Sequence, residues 1–500
     1  MSSANSNGAN ILRIGKFFLA FLIIILSGYF LPIFAGWSES VRLTYRGHEI
    51  HPQVIARNDT VHVVWYWGDN YTSYMRSTDG DETWDSLINL SDEGHYTVYP
   101  DLSIGENGLF VTWQNRDIFY TIGYSTSIDG STWSSPEYIY TDNLNDVYKP
   151  ASTVKGDSIF ITYFSLEDDS TGMNPIRYFS SYNDGLSWSD EITVGYPLGS
   201  PQDILLKYCH GVLLLTWSGV VDSAHANQYH VVGYRSDDAG QTWSDLIWIS
   251  PDHWHTAQSP CLSCNDETGQ FAVGYMDYRY QEYSFHGDVF ISISDDGGRT
   301  WPSEVQASTQ PTARMPAIEF YSDTLLATWS DRRFNDEGDR QIIINRSNNS
   351  GATWGGEQRL TYTTGLSTES WVSAGADKIH LVWREDLIDE GNDIFYKSYT
   401  PDSTVIVEGQ VDIPETIDLT TYPNPFNSSL TININSQQSG KVQIYDMLGR
   451  IINEFEYVKG INLINWNAHD ISGNRITSGV YFIKTKGGDS QIIKKIILLR

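Results

Sequence analysis

One segment of the chain combines residue types that could bind and cleave a charged sugar. Arg314 and Arg333 each carry a planar guanidinium, which can bind a carboxylate through two parallel hydrogen bonds. Asp336 and Asp339 follow closely, and a carboxyl group is the usual proton donor in the cleavage of a glycosidic bond. These residue types are chemically capable of binding an anion and of donating a proton.

Histidine, tryptophan and arginine side chains also occur in polar loops along much of the chain. Histidine binds ligands and transfers protons near neutral pH, whereas tryptophan offers an apolar ring on which a sugar can stack. The predicted ligand-binding residues are His51, His95, Trp254, His255, Arg279, Arg314 and Arg333. No residue is assigned to a metal ion, and no cofactor is expected.

A repeated octapeptide of the form Ser-x-Asp-x-Gly-x-Thr-Trp sets the framework for these loops. Complete copies begin at Ser236 and Ser294, and variants begin at Ser77, Ser127, Ser181 and Ser347, so that successive copies start 50 to 58 residues apart. The Asp or Asn side chain can accept hydrogen bonds from nearby backbone N–H groups, and glycine can adopt a positive φ. Each copy is therefore predicted to be a structural turn without a catalytic role.

Each repeat is predicted to contain four strands, A to D. Short apolar runs such as Leu213-Leu-Leu-Thr-Trp217 are bounded by Gly, Asn and Asp, which indicates strands joined by turns. With the octapeptide in the C–D turn, the A–B and C–D turns share one face and the B–C and D–A loops share the other. The candidate ligand-binding residues belong to the second face.

The number of repeats follows from the two ends of this region. A seventh set of strands A to C spans Trp371–Tyr399 without an octapeptide, and Trp37–Tyr45 matches Trp354–Tyr362 down to a shared Arg-Leu-Thr-Tyr. We therefore predict an all-β, seven-bladed β-propeller, closed by the N-terminal strand, which hides both sheet edges. A six-bladed ring is the alternative, and Ser403–Val407 competes for the closing position.

The octapeptide resembles the Asp-box, or BNR, repeat of sialidase-like β-propellers. The segment from Ala313-Arg-Met-Pro to Asp339 is similar to the Arg-Ile-Pro region of sialidases. The resemblance implies that Arg314 holds the substrate carboxylate, that Arg333 supports it, and that Asp336 or Asp339 acts as acid. Sialidases have Ile where this chain has Met315 and carry this segment in the first blade rather than the sixth. The sequence assigns neither the other two arginines of the family's triad nor its Tyr–Glu pair.

Composition narrows the class of partner. The chain has 32 Lys and Arg against 62 Asp and Glu, a formal net charge of −30. This excess argues against nucleic acid and against anionic membrane surfaces as partners. Three cysteines do not make a disulfide framework, and Cys261-x-x-Cys264 lacks the second pair of a zinc site. A single disulfide or free core thiols are expected.

The N-terminus is typical of a secretory signal. Arg13 and Lys16 precede an apolar run over Phe17–Phe34, and Ala35 offers a small residue for cleavage. We predict a signal peptide over residues 1–35, with a retained membrane helix as the alternative. Contact with a membrane is expected only through this segment or through surface attachment.

The C-terminal region changes character after a predicted linker at 401–419. Residues 420–500 contain more basic than acidic residues and short apolar strands, which predicts a small Ig-like β-sandwich. Tyr422-Pro-Asn-Pro-Phe426, Tyr445-Asp-Met-Leu-Gly-Arg450 and the terminal Lys494–Arg500 resemble the type A C-terminal sorting domain of type IX secretion substrates. The resemblance implies the type IX machinery as partner and export to the outside or outer surface of a Gram-negative cell.

Two classes of function remain for the propeller at 36–400. The first is a secreted or cell-surface protein that binds a glycan or protein through its B–C and D–A loops. The second is a sialidase-like glycoside hydrolase, which needs two carboxyls across a pocket, or a Tyr nucleophile with a Glu partner. Loops dominated by aromatic and mixed polar residues favour binding.

Overall fold

The structure is a computed structural model that describes two stretches of the chain, with short gaps. The described residues are 36–401 and 418–499 except 69–70, 117–120, 141–145, 167–173, 222–227, 252–254, 281–286, 335–339, 364, 389, 423–425, 437–438, 448, 459 and 488–489. The chain divides into two compact units, Met1–Asp402 and Ser403–Arg500. Every regular element described is a β-strand, so no helix of these residues is long and apolar enough to span a membrane. The predicted signal peptide and the competing strand Ser403–Val407 lie outside the described residues.

The first unit consists, in its described part, of seven antiparallel sheets built from consecutive strands. We number the sheets 1 to 7 along the chain and name their strands A to D as above. Each strand A contacts the strand A of the next sheet, and that of sheet 7 contacts that of sheet 1. The A strands are Glu49–Arg57, Thr97–Gly105, Asp146–Lys155, Leu198–Cys209, Ala257–Cys264, Ala313–Tyr321 and Leu366–Ala374.

Strands B and C lie in the middle of each sheet and carry most of the core. Strand B has a fully buried Trp or Tyr at equivalent positions, namely Trp65, Trp113, Tyr163, Trp217, Tyr275, Trp329 and Trp383. The B strands are Thr60–Trp67, Gly108–Asn115, Ser158–Leu166, Val212–Val220, Phe271–Asp277, Thr324–Asp331 and Ile379–Leu387. The C strands are Tyr71–Ser77, Thr121–Ser127, Ile176–Ser181, His230–Ser236, Asp288–Ser294, Gln341–Ser347 and Gly391–Thr400. Large rings are buried here because adjacent sheets cover both faces of the strand.

Strand D is short and forms the outer edge of each sheet. In sheets 1 to 6 it spans Ile88–Asn89, Glu137–Ile139, Ile192–Gly195, Ile247–Trp248, Ser303–Gln306 and Gln358–Arg359. In sheet 7 this edge comes from the N-terminus, where Gly36–Trp37 and Val41–Arg42 both pair with Gly391–Thr400. The seventh sheet is thus assembled from both ends of the unit.

Polar contacts reinforce this pairing around Asp393 of strand C. Its buried carboxylate accepts hydrogen bonds from Thr44 Oγ1 at 2.9 Å, from Arg46 N at 3.2 Å and from the guanidinium of Arg42. The N-terminal segment therefore supplies hydrogen-bond donors to a carboxylate that lies buried in sheet 7.

The three cysteines take two roles. Cys209 and Cys264 form a disulfide that links strand A of sheet 4 to strand A of sheet 5, whereas Cys261 is a free, buried thiol. Burial raises the pKa of the Cys261 thiol well above its usual value. Cys261 is therefore a buried core thiol, and Cys264 is bonded to Cys209 rather than to Cys261.

The second unit contains two antiparallel sheets in its described residues. One sheet comprises Asp418–Tyr422, Leu430–Ser436 and Gly460–Trp466, and the other comprises Gly440–Tyr445, Ile451–Tyr457, Gly479–Gly487 and Ser490–Leu498. Side chains of both sheets, among them Ile432, Ile444, Trp466 and Ile496, share one buried core. Alternating apolar residues on the strands account for this arrangement.

Candidate functional site

The order of strands gives the first unit two different faces. The octapeptide turns join strands C and D, as Ser236–Trp243 joins His230–Ser236 to Ile247–Trp248, and they share a face with the A–B turns. We call this the octapeptide face. The B–C and D–A loops lie at the other end of the strands and form the loop face.

The polar side chains of an octapeptide turn form hydrogen bonds within the turn itself. In the copy at Ser236, Asp238 accepts hydrogen bonds from Thr242 N at 2.9 Å, Thr242 Oγ1 at 2.6 Å and Ser236 Oγ at 2.7 Å. The hydrogen bonds from Thr242 lower the pKa of Asp238. The Asp side chain is thus an acceptor within the turn and has no proton to donate near neutral pH.

The octapeptide tryptophans connect each sheet to the one before it. The rings of Trp84, Trp133, Trp188 and Trp243 pack edge-on against Tyr396, Tyr74, Tyr124 and Tyr178 in strand C of the preceding sheet, with centroids 4.8–5.5 Å apart. Gly240 has φ +83°, and a Cβ there would lie 2.2 Å from the ring of Tyr178. Glycine is therefore required both by the turn and by the ring behind it.

On the loop face, each strand A carries one residue in the left-handed conformation near its start. These residues have φ between 49° and 54° and are His51, Tyr99, Lys149, Asp203, Ser259, Met315 and Glu369. The register between strands A and B shifts at this point in every sheet, as between Ile50 and Gln53. Left-handed residues other than glycine cost about 1–2 kcal/mol each, and bulges re-aim side chains next to binding sites. The left-handed residue and the register shift thus recur together at an equivalent position in all seven sheets.

The seven left-handed residues surround one cavity. All of them line a space of about 230 Å³ between the A strands, which we call the channel mouth. The lining is chemically uneven, because Lys149 and Asp203 form an ion pair at 2.7 Å while Ser259 and Met315 carry no charge. One repeated backbone geometry thus presents seven different side chains to the same cavity.

His51 and Glu369 connect the channel mouth to an arginine. Glu369 Oε2 accepts a hydrogen bond from the backbone N–H of His51 at 2.8 Å, and its Oε1 accepts one from Arg384 Nη1 at 2.5 Å. Burial lowers the pKa of His51, against the opposing effect of Glu369, so the imidazole is neutral at pH 7. The rings of Tyr66 and Tyr99 lie 5.4 Å and 5.5 Å from that of His51. A neutral imidazole among aromatic rings can accept a hydrogen bond or stack on a ligand.

Arg314, Arg332, Arg340 and Arg384, from sheets 6 and 7, lie close enough together for their charges to interact, and we call them the arginine cluster. Burial and the positive charges of Arg314, Arg332 and Arg384 lower the pKa of Arg340. The Nε atoms of Arg314, Arg340 and Arg384 are buried without a hydrogen-bond partner in the described part of the chain. Like charges repel at close range unless an anion lies between them, so this arginine cluster suits a carboxylate or sulfate.

Two predicted ligand-binding residues are held in internal ion pairs. Arg333 is bound by Asp331 and Glu357, and Arg279 is bound in the same way by Asp277 and Glu304. These pairs tie the end of strand B to strand D at equivalent places in sheets 5 and 6. Both guanidiniums therefore have carboxylate partners within the protein, and their role in ligand binding stays a prediction.

The other predicted residues fall in three places. His51 lines the channel mouth, and Arg314 belongs to the arginine cluster. His95 lies with its ring 6.1 Å from that of Tyr138, and the exposed His255 precedes strand A of sheet 5; neither lines the channel mouth. Trp254, Asp336 and Asp339 lie outside the described residues.

Several residues of the candidate site were not predicted from the sequence. They are Arg340 and Arg384 of the arginine cluster and the mouth residues Lys149, Asp203 and Glu369. A signal was present, because five of the seven left-handed residues directly precede the prolines that open strand A, at Pro52, Pro100, Pro150, Pro260 and Pro316. The arginines carried no such mark, since they come from different strands of two sheets.

Comparison with known families identifies the C-terminal region. Residues 420–499 match the family model of the secretion system C-terminal sorting domain, which confirms the predicted sorting domain. The chain is therefore an exported protein whose sorting domain engages the type IX secretion machinery. No curated protein sequence matches the chain.

Solved structures similar to the chain include enzymes that act on carbohydrates. An ulvan lyase of polysaccharide lyase family PL25, bound to -[GlcA(1-4)Rha3S]-, is 10% identical with a TM-score of 0.52, over 71% of this chain and 95% of its own. The polysaccharide lyase Uly1 is 9% identical with a TM-score of 0.51, over 73% and 100%. An α-L-arabinanase of Penicillium chrysogenum is 16% identical with a TM-score of 0.46, over 61% and 93%. At these identities, the two lyases show a shared fold only.

Proposed function

We propose that the chain is a secreted or cell-surface protein whose propeller binds an anionic carbohydrate on its loop face. The arginine cluster carries this proposal. Among the described residues only Arg384 of the four has an acidic partner, Glu369, and a chain with a net charge of −30 has little reason to bring the other three guanidiniums together unless they bind an anion. The neighbouring neutral His51 and the tyrosine rings suit the remainder of a sugar.

The anion is expected to be a carboxylate or sulfate on a sugar. Guanidiniums bind both groups through paired N–H donors, and neither Arg314 nor Arg340 has an acidic partner among the described residues, in contrast to Arg384 and Arg333. At physiological salt, charges further away than about 8 Å are largely screened. The local arginines therefore outweigh the negative charge of the whole chain.

The test uses the mature chain, residues 36–500, and a panel of polysaccharides measured by calorimetry. Polygalacturonate, alginate and chondroitin sulfate should bind, whereas neutral dextran should bind weakly or not at all. The double variant Arg314→Ala, Arg340→Ala should lose at least about 3 kcal/mol of binding free energy, since each charge-assisted hydrogen bond contributes about 1.5–3 kcal/mol.

The matched control is Arg299→Ala on the octapeptide face, where the arginine is 57% exposed beside Asp237. This variant should bind like the wild type. Equal losses in the control and in the double variant would contradict the assignment of the site. A preference for proteins over every polysaccharide would support a protein ligand instead.

A closed, seven-bladed ring is part of the same proposal. Its support is the pairing of Gly36–Trp37 with Gly391–Thr400, together with the contact between the A strands of sheets 7 and 1. Deleting residues 36–45 should cost at least about 3–5 kcal/mol, because it leaves Asp393 buried without Arg42. An unchanged melting temperature of the deletion variant would argue against closure.

A second candidate is a sialidase-like glycoside hydrolase that uses Arg314, Arg333 and Asp336 or Asp339. The presence of Arg340 and Arg384 beside Arg314 favours it, because the resemblance to sialidases implies three arginines around the substrate carboxylate. A chromogenic sialoside should then be cleaved by the wild type and not by Asp336→Asn or Asp339→Asn. If the wild type does not cleave the sialoside, the hydrolase candidate is rejected and the binding function is the one that remains.

A further inference from the structure

Exposed aromatic side chains are distributed unequally between the two faces. Among the described residues of the first unit, seven aromatic side chains at least 43% exposed lie in B–C or D–A loops, and only Tyr182 lies on the octapeptide face. Those of the loop face are Tyr45, Tyr96, Tyr140, Tyr196, Tyr280, Phe334 and Tyr362. Single exposed rings are common, but a set confined to one face marks a surface that contacts something apolar and flat.

Three of these rings pack against the guanidinium of an arginine. The guanidinium of Arg359 lies 4.5 Å from the ring centroid of Tyr362 and 4.7 Å from that of Phe334. In the matching Arg-Leu-Thr-Tyr segment, the guanidinium of Arg42 lies 4.5 Å from the ring of Tyr45. Tyr45 and Tyr362 are nevertheless both 73% exposed. Each ring is therefore held in place and presents a free surface, which lowers the entropic cost of stacking a ligand on it.

Tyr362 and Tyr45 belong to loops of the two sheets that carry the arginine cluster. Tyr362 belongs to the loop that follows strand D of sheet 6, and Tyr45 to the loop that follows the N-terminal edge of sheet 7. Gln341, directly after Arg340, donates from Nε2 to the carbonyl of Thr363 at 3.0 Å. Thr363 Oγ1 also donates to Glu385, the residue after Arg384. Hydrogen bonds thus anchor the loop of Tyr362 to Gln341 and Glu385, which directly follow Arg340 and Arg384 in the sequence.

We propose that the loop face binds an internal stretch of an acidic polysaccharide, with one anionic sugar on the arginine cluster and adjacent sugars on Tyr362 and Tyr45. This inference rests on the proposed function and specifies its substrate class. A single terminal sugar can occupy the arginine cluster and the channel mouth, but it cannot also cover rings that belong to two different sheets. Aromatic rings in loops of both sheets that carry the anion site fit a polysaccharide that extends beyond this site.

The inference is tested by the dependence of affinity on chain length. The probes are chondroitin sulfate oligosaccharides of two, four and six sugars, which carry both carboxylates and sulfates, and N-acetylneuraminic acid as a terminal acid. Binding to the mature chain is measured by calorimetry. Affinity should rise about tenfold or more from the disaccharide to the hexasaccharide. N-acetylneuraminic acid should bind no better than the disaccharide.

Variants separate stacking from charge. Tyr45→Ala and Tyr362→Ala should each weaken the hexasaccharide about three- to tenfold and leave the disaccharide unchanged, whereas Tyr362→Phe keeps the ring and should bind like the wild type. Tyr182→Ala, on the octapeptide face, is the matched control and should have no effect.

The outcomes distinguish the inference from the proposed function. Equal affinity for the disaccharide and the hexasaccharide, or wild-type affinity in both Tyr→Ala variants, would overturn the polysaccharide inference and leave an anion site for a short sugar. Wild-type affinity in Arg314→Ala, Arg340→Ala would overturn the proposed function itself. A wild-type chain that binds none of the acidic probes would contradict both.

Discussion

On the octapeptide face, the carboxylate of Asp238 accepts hydrogen bonds from three donors of its own turn, whereas on the loop face Arg314 and Arg340 have buried Nε atoms without a hydrogen-bond partner among the described residues. The same contrast holds for histidines. His62 and His380 lie beside the octapeptide turns, where each Nδ1 is 2.6 Å from a buried tyrosine hydroxyl, while His51 lines an open cavity.

The difference shows where stability and binding are located in a repeat architecture. Turns whose polar groups are satisfied within one repeat can recur unchanged, since they need nothing from their neighbours. Loops that keep unsatisfied donors and exposed rings are less favourable for folding, and they are where rigid scaffolds usually carry function. The faces should therefore respond differently to acid and to substitution.

Acid should act most strongly through the octapeptide side. Burial lowers the pKa of both His62 and His380 to about 4, from 6.5 in the unfolded chain. Between these pH values the unfolded chain binds more protons than the folded one, so stability falls as pH falls from about 6.5 to about 4. The loss approaches about 3 kcal/mol for each histidine. Denaturant unfolding at pH 7, 5 and 4 should show this loss, and His62→Gln with His380→Gln should reduce the slope. Equal slopes in the two proteins would contradict it.

The next largest effect separates paired from unpaired arginines within the loop face. Arg333→Ala leaves the buried carboxylate of Asp331 without its ion pair, which should cost about 3 kcal/mol or more in the free energy of unfolding. The folded fraction should still bind acidic saccharides. Denaturant unfolding and calorimetry check the two statements separately. If Arg333→Ala lost binding but kept wild-type stability, Arg333 would belong to the ligand-binding site.

A smaller loss is expected in the octapeptide turn. Asp238→Ala removes three hydrogen bonds at a half-buried site and should destabilise the protein by about 1–2 kcal/mol. Affinity of the folded protein for acidic saccharides should not change. Abolished binding in a folded Asp238→Ala variant would break the proposed division between the faces.

The smallest effect has the opposite sign. Arg340→Ala removes a guanidinium from among three others, so the free energy of unfolding should stay constant or rise by up to about 1 kcal/mol in the absence of ligand. Thermal unfolding at low ionic strength should show it best, because salt screens the repulsion. A clear destabilisation would mean that Arg340 has a structural partner.

The local parts of this protein follow from its sequence. The octapeptide turns depend on residues within eight positions, and the buried aromatic of strand B depends on a short apolar run, so both could be predicted from neighbouring residues. The sorting domain likewise could be identified from contiguous motifs, and its family match agrees.

The candidate site depends on tertiary structure. Arg314 belongs to strand A of sheet 6, Arg340 directly precedes strand C of that sheet, and Arg384 belongs to strand B of sheet 7, so only the packing of the two sheets brings their charges together. In the same packing, Arg333 forms ion pairs with Asp331 and Glu357, whereas Arg340 has no acidic partner among the described residues. Sequence specifies what each repeat can form alone, because those contacts are short in range. The neighbours of a long side chain at the junction of two sheets depend on how these sheets pack, and no local pattern records that.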